Sequence, residues 1–285
     1  MFQEKDYTNF LISKYNNTSA SRGTVTASNK KEEKKKDNII KSFALLVAND
    51  TFDATKNWSS LKNPINDVNV VAKILKEKYN TETLILHNKG KNEILKSINN
   101  MKSKMDDNDQ FLFFIAGHGY YSEEMSDGMV VCKESREIEQ DYDKSSYLKM
   151  ADLHRLLNTM PAKNVFAVFD VCFGATFDLF AKDIAINNYN KLQLDIKLED
   201  FIKRKNSETS RIFMASGRYE VPDYWKDSED HSPFASKLIK ALSEEKEFIS
   251  PGKIFSFMDG NATEPLLKKF GKHKPRGDFL LKVVE

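Results

Sequence analysis

Only two cysteines, Cys132 and Cys172, occur in this chain of 285 residues. No disulfide framework can therefore hold it together, and a reducing compartment is expected. A dominant sign of charge is missing too: 44 Lys and Arg stand against 42 Asp and Glu, a formal net charge of +2. That balance leaves no basic footprint for nucleic acid. No uninterrupted run approaches the roughly 20 apolar residues of a membrane-spanning helix, and the opening MFQEKDYTNF is charged where a secretion signal would be apolar. The expectation is a soluble cytoplasmic protein that binds neither membrane nor nucleic acid directly. No internal repeat is evident. His87, His154, His231 and His273 stand singly, outside the His-Glu-x-x-His spacing of zinc hydrolases. The acidic MDDND at 105–109 has no EF-hand pattern. No metal and no other cofactor is expected, and His154, on a helical segment, is expected at the surface.

What the chain does have is enough apolar material, 40% of its residues, for a full core. Its length suits one sizeable α/β domain with an appendage, or two small domains. Residues 1–41 differ from the rest. A short mixed segment ends near Tyr15, and the polar, aperiodic NNTSASRGTVTASNKKEEKKKDN follows. Such a stretch buries too little apolar area to offset its ordering entropy, so it reads as an arm or linker. Alternatively Phe2, Tyr7, Phe10, Leu11 and Ile12 anchor it to the body or to a partner. From Ser42 strand-like and helix-like segments alternate: strand 42–48, helix 64–78, strand 83–87, helix 90–104 and strand 110–116. Pro64 sits where a first helical turn accepts it, because that N–H has no partner in any case. This alternation predicts an α/β fold, a mainly parallel central sheet with helices on both faces.

Two apolar runs end in reactive residues. FLFFIAGHGYY carries His118 and NVFAVFDVCFGATF carries Cys172. A thiol is a strong nucleophile only as the thiolate, and an imidazole within hydrogen-bond reach generates one near neutral pH. In an open parallel sheet such groups sit beyond the carboxyl ends of adjacent strands, where loops converge on a crevice. The strands are read at Phe111–Ala116 and Asn164–Phe169, with YLKMADLHRLLNTM as the crossover helix between them and GMVVCK as part of an excursion hairpin after His118. Gly117 and Gly119 flank His118 and Gly174 follows Cys172 closely, so the backbone can turn sharply there. Cys132, in VVCK, has no His or acid nearby to activate it and reads as structural. No third side chain that would orient His118 is identifiable.

At these residues the chain resembles the caspase-like cysteine peptidases, the prokaryotic caspase homologues and metacaspases above all. His118 precedes Cys172 by the roughly 50 residues that caspases show. SFALLVAND resembles the family's first strand, LKNPINDVNVVAKIL its first helix, and RIFMASGRYEVPD, HSPFASKLIKAL and PRGDFLL its small-subunit strand, helix and last strand. The resemblance implies a three-layer sandwich over 42–285: a large-subunit part at about 42–174, a linker at about 175–209 and a small-subunit part at about 210–285. It implies a His118 and Cys172 dyad, with the backbone amides of Gly119 and Cys172 as oxyanion donors. Asp170 would line the specificity pocket, on the same side of the strand as the thiol by period-two geometry, and would select a basic residue before the scissile bond. Glu220 and Asp223 are candidate second acids, while Arg218 would serve an acidic substrate instead. Asp67, in NPINDVNVV, matches a family helix position but reads as a structural residue. DVCFG departs from the Gln-Ala-Cys signature of animal caspases, which argues against cleavage after Asp.

The resemblance also implies a zymogen. Its linker, ending in FIKRKNSETS, would be cut by the enzyme itself after Lys203, Arg204 or Lys205, the alternative being an ordinary surface turn. The expected function is a cysteine endopeptidase that cleaves protein substrates after Arg or Lys, under an activating or inhibitory protein partner, in a bacterial signalling or defence system. Calcium dependence occurs in some metacaspases, but nothing in this chain predicts it. Two rivals are a silent caspase-like scaffold that recruits partners and a flavodoxin-like ligand binder. The second needs a Gly-rich phosphate loop after the first strand, and LLVANDTFDATKNW holds no glycine.

Overall fold

Successive residues of a strand face opposite ways, and in β1 (Ser42–Ala48) both sets are apolar. Phe43, Leu45 and Val47 join one buried cluster, while Ala44, Leu46 and Ala48 join a second. The same division holds in β3 (Gln110–Gly117) and β7 (Asn164–Val171). A sheet apolar on both faces must be covered on both, and it is. In the computed structural model, α2 (Lys91–Lys104) and α3 (Met150–Asn158) bring Ile94, Ile98, Leu153 and Leu157 to the first cluster. To the second, α1 (Pro64–Tyr79) and α5 (Pro233–Glu244) bring Val68, Val71, Leu75, Phe234 and Leu238. Each such side chain contributes roughly 1.5–3 kcal/mol by leaving water. Residues 40–178, 181–183, 197–217, 230–260 and 263–284 are described. The arm through residue 39 with its candidate anchor, and Arg218, Glu220 and Asp223, lie outside them.

Among the described residues the main sheet has seven strands in the order β2-β1-β3-β7-β9-β11-β8, with β2 at Glu82–His87, β8 at Lys182–Asp183, β9 at Ser210–Ala215 and β11 at Leu266–Lys269. From β2 to β9 all neighbours are parallel, whereas β11 runs antiparallel to β9 and to β8. The predicted strands and helices of the first half are therefore present, their ends shifted by a residue or two. α1 starts at Pro64 and stops at Asn80, whose left-handed backbone (φ 48°) aims its N–H at the Leu75 carbonyl. After His118 the excursion forms its own antiparallel sheet of β4 (Gly119–Ser122), β5 (Asp127–Val130) and β6 (Leu148–Lys149), one strand more than the predicted hairpin.

Two expectations need correction. Residues 198–206, read as irregular linker, form the helix α4 (Leu198–Asn206), which packs Phe201 and Ile202 against Phe248 and Leu280. The segment PRGDFLL supplies only the two-residue β12 (Leu281–Lys282). It pairs with β10 (Phe248–Ile249) in a separate small sheet, and LLKK at 266–269 provides the main-sheet strand instead. His154 lies at the surface in part, its side chain 29% exposed and bonded to Asp178 at 3.2 Å.

Arg211, in β9, is fully buried. Its guanidinium donates to the carbonyls of Asn158, Met160, Ala162, Lys163 and Ser210 at 2.7–3.3 Å. No carboxylate among the described residues pairs with it. Burial lowers its pKa to about 10, so it stays charged at neutral pH and ties the turn before β7 to the start of β9.

Candidate active site

The register of β3 on β7 pairs Ala116 with Asp170 and Gly117 with Val171, so His118 and Cys172 leave the sheet side by side. Close backbone contact follows. A Cβ on Gly119 would overlap the Cys172 carbonyl and lie 3.0 Å from the Cys172 nitrogen. Gly117 has φ +152°, and a Cβ there would stand 2.8 Å from the Asn49 carbonyl oxygen. Glycine at 117 and 119 is thus a steric requirement of the juxtaposition. At the other exit the demand differs from the expectation. The residue with the left-handed backbone is Phe173 (φ 59°), while Gly174 is needed because a Cβ would meet Phe169 and Ala215 at 3.0 and 3.3 Å. A bulky residue at positive φ is a strained conformation, and such strain gathers at functional sites. Here it turns the chain from β7 into a 3₁₀ segment (Gly174–Asp178), and the Phe173 carbonyl accepts from Thr176 N at 2.9 Å and Oγ1 at 2.7 Å.

Only a donor can approach a carbonyl closely, so the 2.9 Å contact from His118 Nε2 to the Ser59 carbonyl fixes the hydrogen on Nε2. In the neutral ring Nδ1 then carries the lone pair. The orienting group absent from the sequence reading is this backbone oxygen, which no side-chain motif could announce. The ring is also flanked by Phe52 and Trp58, with centroids at 5.0 and 5.6 Å. Cys172 is partly exposed, whereas Cys132 is buried. Burial pushes the Cys132 thiol up to about 12, which makes it inert near neutral pH.

A cavity of about 310 Å³ opens beside these residues, and His118, Gly119, Asp170 and Cys172 all line it. Asp170 and Cys172, two residues apart, thus line one cavity. Asp67, read from the sequence as a structural residue, lines the same cavity. Both carboxylates are buried, at 1% exposure for Asp67 and 7% for Asp170. Ser232 joins them: its hydroxyl donates to Asp170 Oδ2 at 2.5 Å and its N–H to Asp67 Oδ2 at 3.2 Å. Ser232 is also the N-cap of α5, with Oγ accepting from the Ala235 N–H at 2.9 Å. Burial lowers the His231 pKa against the opposing pull of Asp230. The His231 Nδ1–H donates to Asp67 Oδ1 at 2.6 Å. Asp67 sits three residues past Pro64 in the first turn of an apolar-faced helix, and that was the available signal for it. The described lining contains no Lys or Arg.

Lys203, Arg204 and Lys205 lie apart from this cavity, on the last turn of α4. A protease binds its substrate extended, so cutting after any of them requires that turn to unwind. The premise of a mobile basic loop fails at these residues. Among the described residues no group of three or more His, Cys, Asp or Glu could hold a metal, and no helix is long and apolar enough to cross a membrane.

Two solved structures share the fold. A protein of Geobacter sulfurreducens matches over 82% of this chain and 95% of its own, at 16% identity and a TM-score of 0.55. Caspase-1 of Spodoptera frugiperda matches over 82% of this chain and 88% of its own, at 14% identity and a TM-score of 0.51. No curated protein sequence matches the chain. The family model of the caspase domain, a family of cysteine peptidases, matches residues 41–261. With that match spanning most of its length and both reactive residues inside it, this chain belongs to the caspase domain family.

Proposed function

We propose that this protein is a cysteine endopeptidase that cleaves after Arg or Lys, with Cys172 as nucleophile and His118 as its base. The observation that carries the reading is that Cys172, His118 and the buried carboxylates of Asp67 and Asp170 share one cavity. His118 Nδ1 takes the Cys172 proton, and the thiolate attacks the substrate carbonyl carbon. The oxygen that becomes negative accepts from the amides of Gly119 and Cys172, whose backbones abut. Collapse breaks the C–N bond while His118 returns its proton to the leaving amine. Water, deprotonated by His118, then attacks the thioester and frees the acid and the thiol.

The cationic side chain before the scissile bond enters between Asp67 and Asp170. Carboxylates withdrawn from water reward Arg or Lys and repel Asp. Glu220 and Asp223 remain sequence candidates for the same pocket. The enzyme works in the cytoplasm without a metal, is restrained as a zymogen and is released by a protein partner, and a bacterial defence or signalling pathway is its setting. Fluorogenic peptides differing only in the residue before the bond test this. Turnover of Arg and Lys peptides that disappears in Cys172→Ala supports it. Turnover of Asp peptides alone overturns the specificity. No turnover by the partner-activated protein, together with no His118-dependent labelling by a thiol-reactive peptide, leaves a silent scaffold.

A further inference from the structure

The loop 49–61 leaves the main sheet where the Asn49 N–H donates to the Ala116 carbonyl at 3.0 Å, and from Phe52 onward it is held by the excursion. Phe52, Ala54 and Trp58 form one buried cluster with Met129, Val131 and Tyr147. Several polar bonds stitch the same two pieces: Asp53 N to the Lys133 carbonyl at 3.0 Å, Ile138 N to Asn57 Oδ1 at 2.9 Å, and Trp58 Nε1 to Tyr147 Oη at 3.3 Å. The last differs from the others in its place. Trp58 precedes Ser59, whose carbonyl holds His118 Nε2, and its ring lies against the imidazole.

Tyr147 is fully buried, and its hydroxyl is used twice. It accepts from the Trp58 indole and donates to the Arg136 carbonyl at 2.6 Å. Burial raises its pKa to about 12, so it donates throughout the working pH range. Arg136 is fixed in turn through Nη2 to Asp141 Oδ1 at 2.6 Å, and Asp141 also takes the Ser146 N–H at 3.0 Å. A continuous hydrogen-bonded line therefore runs from the excursion, through Tyr147 and Trp58, to the residue before the carbonyl that sets the His118 tautomer.

We propose that Tyr147 and Trp58 are positioning residues that hold the Ser59 carbonyl against His118 and so set both the tautomer of the imidazole and the stability of its protonated form. The catalytic part of this proposal rests on the peptidase reading, but the positioning part does not. Removing the Tyr147 hydroxyl leaves the Trp58 N–H and the Arg136 carbonyl unpaired in a buried site, which loosens the loop that carries Ser59. A carbonyl that drifts from Nε2 stabilises the imidazolium less, and the His118 proton affinity falls.

The test uses full-length Tyr147→Phe and Trp58→Phe, with Tyr120→Phe as the control because its ring touches Trp58 and Tyr147 without joining the line. The imidazole protons of His118, identified by their loss in His118→Ala, are titrated by NMR, and kcat and KM are measured on an Arg peptide. Both variants should titrate at lower pH than the wild type. Their kcat should fall about threefold to tenfold, the scale of one lost hydrogen bond, with KM within about twofold, while Tyr120→Phe changes neither. An unshifted titration with unchanged kcat in either folded variant overturns the proposal. The NMR titration needs no turnover, so a shifted His118 in a protein that cleaves no peptide would keep the clamp and remove the peptidase reading. Trp58→Phe keeps a ring against the imidazole and stands as the second probe if Tyr147→Phe fails to fold.

Discussion

Replacing Asp170 by Asn is the cleanest perturbation of the proposed specificity pocket. Asn has the same shape, and its carbonyl oxygen can still accept from the Ser232 hydroxyl that bonds Asp170 Oδ2, so the change removes the charge and keeps that bond. Asp67→Asn disturbs more. Both Asp67 oxygens accept, from His231 Nδ1 and from the Ser232 N–H, and an amide NH₂ would oppose one of those donors. At about 4 Å a unit-charge pair in a partly desolvated site interacts by roughly 4 kcal/mol, and close interfacial charge pairs are coupled by about 2–5 kcal/mol. Because Asp67 remains, the expected loss lies at the low end, about 2–3 kcal/mol, or roughly 30-fold to 150-fold in kcat/KM. The assay compares an Arg peptide with its citrulline counterpart, which keeps length and planarity but not charge. Asp170→Asn should lower turnover of the Arg peptide by that factor and that of the citrulline peptide by about threefold at most, with the melting temperature nearly unchanged. An unchanged Arg-to-citrulline ratio in the variant would falsify the acidic-pocket argument.

Cys172→Ala and His118→Ala should each abolish hydrolysis without unfolding, because either half of a nucleophile–base unit costs nearly as much as both; near-wild-type turnover in a peptide assay would exclude the dyad. Iodoacetamide on the native protein should modify Cys172 and spare Cys132 until denaturant is added, since Cys132 is buried with its thiol near 12; native labelling at Cys132 by mass spectrometry would contradict that burial. Gly119→Ala should lose most activity, because its Cβ would overlap the Cys172 carbonyl; full turnover would show that the two backbones can separate freely. Burial alone would raise the pKa of Asp141, but hydrogen bonds from Ser146 and the Arg136 charge outweigh it and hold the group near 2. Its contribution to stability is therefore complete above the ordinary carboxylate pKa of about 3.9 and is lost as pH falls through about 2. Asp141→Ala should flatten the melting curve against pH between about 5 and 2, and an unaltered slope would refute the linkage.

The strands β1, β3 and β7 were legible as short uninterrupted apolar runs, the mark of strands covered on both faces, and α1, α2 and α3 because their apolar residues recur every three to four positions. His118, Cys172 and Asp170 were legible because chemistry-bearing residues sat at strand exits. Asp67 was visible as a structural residue, and it does hold the His231–Ser232 turn; its place in the cavity was not visible, because an acid in a first helical turn is normally explained by the helix itself and only tertiary packing brings that turn to the site. The Ser59 carbonyl could not have been read at all, since a backbone oxygen has no residue type. In α4 the spacing of Leu198, Phe201 and Ile202 was helical, but five charges among nine residues hid it. β11 offers two apolar residues before two lysines, which is too short a run for a period to form.

Arg211 bears on what happens to a cut chain. Any scission between β7 and β9 would leave this guanidinium on one fragment and four of its five acceptor carbonyls, those of residues 158–163, on the other. Pulling the pieces apart would strip a buried cation of four acceptors before water could reach it, and would open the β7–β9 ladder in the same motion. A nicked molecule should therefore behave as one particle. Dilution would not dissociate it, halves of differently tagged molecules would not trade places, and its sedimentation would match that of the uncut chain.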